Sequence, residues 1–194
     1  CVKKGQNSAL PLQGNKSMFG GGLFKGKSTI STNFESGNIN HIKNVQRKKD
    51  VLVVLEIENE PYPKNTKRKY QNWFYFKVSN IKSTTVFNIN KLKNYDNDWR
   101  GFTVCYSYDN KKWKRLINTK ANLKKKSLTW KINPKKSTIW FAYYPPYPFS
   151  KSKKLLPNMK TIGYTRDKNP ILMKKIGNGP KRVWLISGQH PGET

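Results

Sequence analysis

The sequence predicts a mainly β protein, an antiparallel β-sandwich followed by the first strands of an α/β domain, and three observations lead there. From residue 31 to residue 149, short apolar runs alternate with polar turns, and within the runs apolar residues recur with the period of two that a half-buried strand requires. Long helical periodicity is absent from that stretch. After Pro145-Pro146-Tyr147-Pro148, whose prolines cannot donate to a sheet ladder, the pattern changes and ends in the consecutive apolar run Val183-Trp184-Leu185-Ile186.

The elements follow in order. Residues 1–30, with Gly20-Gly21-Gly22 among scattered Lys, Ser and Asn, sustain no period and read as a flexible or disordered arm. In Val51 to Glu58 the odd positions Val51, Val53, Leu55 and Ile57 form one apolar face while the even positions turn acidic. Trp73-Phe74-Tyr75-Phe76-Lys77-Val78 has Phe74, Phe76 and Val78 on one side and Trp73 and Tyr75 on the other, the pattern of a strand covered on both faces. Val86 to Ile89, the alternate positions Phe102, Val104, Tyr106 and Tyr108, then Trp113–Ile117, Leu128–Ile132 and Ile139–Tyr144 continue the series. Many short strands at this spacing argue for a sandwich over residues 31–149. Residues 150–194 read as the beginning of a truncated α/β domain. Lys151–Met159 is expected to be a short helix, Thr161–Thr165 and Ile171–Gly177 two strands around the turn Asp167–Pro170, and Lys181–Ser187 a third strand buried on both faces.

At the carboxyl end of that third run stands Gly188-Gln189-His190-Pro191-Gly192-Glu193-Thr194. Functional residues collect at such strand ends. An imidazole and a carboxylate three residues apart can turn toward one cation if the backbone between them bends, and Pro191-Gly192 supplies the bend. His190 and Glu193 are therefore the candidate metal ligands, with Zn²⁺ the expected ion. A catalytic zinc of the His₂Glu type needs a further His and keeps a position for water. The chain begins with Cys and stops directly after this motif, so it is expected to be an internal fragment that lacks the third ligand and a general base.

Bulk composition narrows the classes. A hydrophobic share of 35% with an aromatic share of 13% suffices for a core built from a few bulky side chains. No run approaches the roughly 18 apolar residues that span a bilayer, and no signal-peptide core opens the chain. A cytoplasmic, non-membrane protein is expected. Cys1 and Cys105 are too few for a disulfide framework, and Cys105 reads as a buried free thiol. The net charge of +29 attracts acidic partners, yet its clusters, such as Arg47-Lys48-Lys49 and Lys124-Lys125-Lys126, fall between apolar runs and read as solvated turns. There is no zinc-finger spacing and no RNA-recognition signature, hence no specific nucleic-acid motif. His41 is a lone histidine in a polar stretch. Asp96 and Asp98 sit in the Asn-rich run Asn94–Asp98 and suit a turn better than a pair of catalytic carboxylates.

Five motifs in order, Phe34-Glu35-Ser36-Gly37-Asn38, Trp73 to Ser79, Ser107-Tyr108-Asp109 with Trp113, Phe141 to Tyr147, and His190 to Thr194, resemble the cytosolic carboxypeptidases. The resemblance covers residues 31–194. It implies an N-terminal β-sandwich before a zinc metallocarboxypeptidase domain of the carboxypeptidase A superfamily, with His190 and Glu193 as two ligands and the third ligand, a His, and the Glu base further on. It also implies removal of C-terminal residues, characteristically glutamates, from peptide or protein tails, acidic tubulin-like ones included. One departure is Lys168-Asn169, where relatives often carry Gly-Arg. The competing expectation is a non-catalytic module that binds acidic protein tails or nucleic acid through its lysines.

Overall fold

The computed structural model describes residues 28–59, 71, 73–93, 99–155, 157–166 and 168–186. In chain order the elements are β1 (Thr29–Ser31), β2 (Asn40–Gln46), β3 (Val51–Glu56), β4 (Tyr75–Ser79), β5 (Thr85–Asn90), β6 (Cys105–Ser107), β7 (Lys114–Arg115), β8 (Lys120–Asn122), β9 (Ser127–Ile132), β10 (Ile139–Ala142), α1 (Phe149–Leu155), β11 (Lys160–Tyr164) and β12 (Pro170–Met173). Two five-stranded sheets, ordered β1-β4-β10-β6-β7 and β2-β3-β5-β9-β8, carry the first ten strands. The expected mainly β sandwich is what forms. One core cluster lies between the sheets: Phe76, Val78, Ile139 and Phe141 come from the first, and Val53, Leu55, Phe87, Ile89, Leu128 and Trp130 from the second.

Side-chain alternation explains the layers. On β3, Val53 and Leu55 are buried in the core cluster, and Ile57 just beyond the strand continues that face. On β5 the burial pattern alternates strictly, with Phe87 and Ile89 inward. Aromatic rings fill the core: Trp130 stacks on its cross-strand neighbour Phe87 at 5.4 Å and 15°, and Phe87 meets Phe141 of the opposite sheet at 4.8 Å. Each such ring contact adds roughly 0.5–1.5 kcal/mol to the area it buries.

Pairing is antiparallel except between β3 and β5, which run parallel from Val51↔Thr85 to Glu56↔Asn90. The physical reason is the path of the chain. After β3 it crosses to the first sheet as β4 and returns as β5, and two reversals restore the original direction.

Several boundaries differ from expectation. β1 starts at Thr29, inside the stretch read as an arm, because Ile30 pairs with Val78 and packs on the core. The Trp113–Ile117 run yields only β7, and Ile117 is 92% exposed because the chain leaves the sheet there to reach β8. The helix sits at Phe149–Leu155 rather than Lys151–Met159. Its first turn begins at Pro148, whose carbonyl accepts from the Lys151 N–H at 2.9 Å. The second of the two later strands stops at Met173. Between it and β11 the turn closes through Thr165 N–H to the Asn169 carbonyl, 2.8 Å, with Lys168 at φ 60°. That left-handed value is one glycine adopts freely, so the Lys168 departure costs strain without losing the turn.

Among the described residues the third strand expected at Lys181–Ser187 does not form. Residues 181–186 form no ladder, and Val183, Trp184, Leu185 and Ile186 are 85%, 75%, 95% and 72% exposed. A run apolar at consecutive positions is buried only between flanking strands with layers on both faces. Among the described residues β11 and β12 pair only with each other and supply neither.

Candidate functional site

The two candidate zinc ligands, His190 and Glu193, lie outside the described residues, as do Cys1, Asp96 and Asp98. Among the described residues no three His, Cys, Asp or Glu side chains gather as a metal cluster. His41 stands on β2 with its Nε2 2.8 Å from the Asn44 side-chain oxygen, and among the described residues it belongs to no cluster of metal-ligating side chains. Cys105 is a buried free thiol whose pKa is pushed up by burial, opposed by the nearby Arg115 charge. It stays protonated and is no nucleophile.

What the structure does bring together is four of the five motifs, on the outer face of the first sheet around Tyr75. The Phe34–Asn38 turn depends on its glycine, because a Cβ on Gly37 would collide with the Thr32 carbonyl oxygen. Ser36 before it takes φ 66°. Asn38 then forms an antiparallel bridge with Tyr75, exchanging N–H···O bonds of 2.8 and 3.0 Å, and its Nδ2 donates to the Trp73 carbonyl at 3.0 Å. The indole N–H of Trp73 donates back to the Ser36 carbonyl at 2.7 Å.

From the other side comes the hairpin between β6 and β7. Its Asp109 carboxylate accepts the Lys112 and Lys111 N–H groups at 2.8 and 2.9 Å and lies 2.9 Å from the Ser107 hydroxyl, which donates to it. These donors, the Lys112 N–H first, hold its pKa down at about 2. The turn puts Asn110 at φ 59°, where its side-chain oxygen accepts from the Tyr75 hydroxyl at 2.6 Å. Burial raises the Tyr75 pKa against that bond, so the phenol stays neutral. Phe34 and Trp113 flank the Tyr75 ring at 4.7 and 6.0 Å, and Tyr144 meets Trp73 at 4.8 Å. The Glu35 carboxylate accepts the Ser150 N–H at the start of α1, 3.1 Å away.

This arrangement holds no nucleophile beside a base. It is a brace that ties the sandwich to the chain leaving it. Sequence reading named these motifs separately and missed Asn110, whose only signal is that Asn tolerates the left-handed turn conformation.

The model of the cytosolic carboxypeptidase N-terminal domain matches residues 30–144, and the chain belongs to that family. An uncharacterized protein of Zymomonas mobilis is 27% identical over 177 residues, covering 85% of this chain and 43% of that protein. Among solved structures, a metallo-carboxypeptidase from Burkholderia cenocepacia superposes with a TM-score of 0.60 at 20% identity, over 75% of this chain and 38% of that one. A Pseudomonas aeruginosa metallo-carboxypeptidase in complex with (2-guanidinoethylmercapto)succinic acid gives 0.56 at 20% identity, over 74% and 39%. These likenesses show the fold. The chain spans less than half the length of the relatives it matches.

Proposed function

We propose that this chain is the N-terminal part of a zinc-dependent metallocarboxypeptidase that removes C-terminal residues, glutamates foremost, from peptide or protein tails. One observation carries the reading: a cytosolic carboxypeptidase N-terminal domain over residues 30–144 is followed in the same chain by His190-Pro191-Gly192-Glu193. An imidazole and a carboxylate are both zinc donors, so the pair fits the ion. Zinc held by a His₂Glu set supplies Lewis acidity that lowers the pKa of water toward about 7 and polarises a peptide carbonyl. His190 and Glu193 would hold and orient that ion, and Pro191-Gly192 would set the bend between them.

The sequence has two histidines, and His41 is engaged on β2 with Asn44. In this reading the third ligand, a His, and the Glu base are supplied by residues other than these, and the 194-residue chain is inactive by itself. The division into a sandwich that begins with β1 and the start of the catalytic domain over 150–194 belongs to the same reading. So does a cytoplasmic location, which suits the reduced thiol of Cys105. No helix among the described residues is long and apolar enough to cross a membrane.

The test uses the product of the complete reading frame. It should release glutamate from a peptide with a polyglutamate C-terminus, and His190→Ala should abolish that release together with stoichiometric zinc. Full activity in the His190→Ala protein would refute the reading. The chain by itself should show no turnover and only weak zinc binding in calorimetry.

A further inference from the structure

We propose that the edge of the sandwich formed by β7 and β8 is a sequence-independent contact surface for the phosphate backbone of nucleic acid. β7 ends one sheet and β8 ends the other, and Leu116–Thr119 joins them, so the two edges make one continuous rim. Along this rim every Lys and Arg of residues 111–126 is exposed: the pair 111–112 in the turn before β7, Lys114 and Arg115 on it, Lys120 on β8, and the triplet 124–126 in the next turn. No Asp or Glu occurs between Asp109 and Asp167.

Among the described residues the ion pairs join Arg47 and Lys131 to Asp50 and Lys91 to Glu56, around the two ends of β3, and none involves the rim. Asp109, next to the rim in the chain, is engaged by its own turn. Arg115, the rim's only guanidinium, donates to the Thr103 carbonyl and hydroxyl at 3.2 and 3.3 Å. What remains toward solvent is an array of lysine point charges.

The chemistry of that array selects the partner. Its one aromatic, Trp113, packs edge-on against the Tyr75 ring, and Arg115 is engaged with Thr103, so the segment presents neither a row of rings for stacking nor a planar fork free for bidentate recognition. Its affinity has to come from counterion release. That favours a partner carrying one charge per about 1.7 Å, as a nucleic-acid duplex does. An extended acidic peptide carries at best one charge per residue, about 3.3–3.6 Å apart, and loses chain entropy when it is ordered.

The experiment compares two variants of equal net charge by fluorescence anisotropy with a labelled mixed-sequence duplex, and with polyglutamate as the competing polyanion. One variant carries Lys112→Gln, Lys114→Gln, Lys120→Gln and Lys124→Gln on the rim. The other carries Lys43→Gln, Lys48→Gln, Lys49→Gln and Lys82→Gln, all exposed and away from it. Retention of the native thermal midpoint establishes that both fold. The rim variant should lose on the order of 100-fold in duplex affinity, and its salt slope should fall by about 1 for each lysine removed, while the control stays within about threefold. Equal losses in the two variants would reduce the effect to net charge and overturn the proposal. Tighter binding of polyglutamate than of duplex would assign the rim to acidic peptides instead. An unchanged duplex affinity with new self-association would make these lysines edge guards against strand pairing, and would also overturn it.

Discussion

Asp109 shows how much one exposed side chain can organise. Its carboxylate serves the hairpin only as an anion, and its folded pKa of about 2 lies below the ordinary 3.8. A depressed carboxylate stabilises the fold fully above its unfolded value, and the contribution disappears as pH falls through the folded one. Asp109→Asn should accordingly lower the thermal midpoint at pH 7, and its difference from the native protein should vanish between about pH 4 and pH 2. Melting both proteins across that range checks the sign. Gly37 makes the complementary point about shape. Because an added Cβ meets backbone at Thr32 rather than a movable side chain, Gly37→Ala should cost roughly 1–3 kcal/mol in denaturant unfolding, and the Trp73 and Tyr75 contacts should loosen with it. Neither role can be read from residue type alone. Tyr75, Asn38 and Asn110 stand 35 or more positions apart, and their meeting follows from strand order rather than from any local pattern.

At the level of elements, the strands that sequence reading placed are those whose alternation records burial directly. β3, β5, β9 and β10 each present a bulky inward face, so period and position agree. β2 and β8 were not individually legible: they are edge strands with mostly exposed residues, and an edge needs no apolar face. The parallel pairing of β3 with β5 was invisible too, since periodicity reports which face is buried and not which neighbour runs beside it. The run 181–186 failed for a different reason. Its composition describes burial between layers that the described residues do not provide. In this chain Val183→Asp with Leu185→Asp should therefore leave the sandwich midpoint unchanged, within about 0.5 kcal/mol. The same pair should reduce binding of a hydrophobic dye, and a large drop in midpoint would show that the run packs on the sandwich.

For the whole molecule, the core cluster and everything packed against it lie between Ile30 and Tyr143. A protein comprising residues 28–148 should fold cooperatively and melt within a few degrees of the full chain, whereas Phe87→Ala should cost about 3–5 kcal/mol in either. The candidate ligands His190 and Glu193, outside the described residues, were legible only as a spacing. The alternation of strands between layers carries a kinetic consequence. Reading β1 to β10 in order, the chain passes between the two sheets at β1–β2, β3–β4, β4–β5, β5–β6, β7–β8 and β9–β10. Neither sheet is a contiguous piece of sequence, so neither can be completed first and wait for the other. Refolding should be a single slow step in the range of milliseconds to seconds, with both arms of the chevron linear and no burst phase, because half a sandwich is not a species this connectivity can populate.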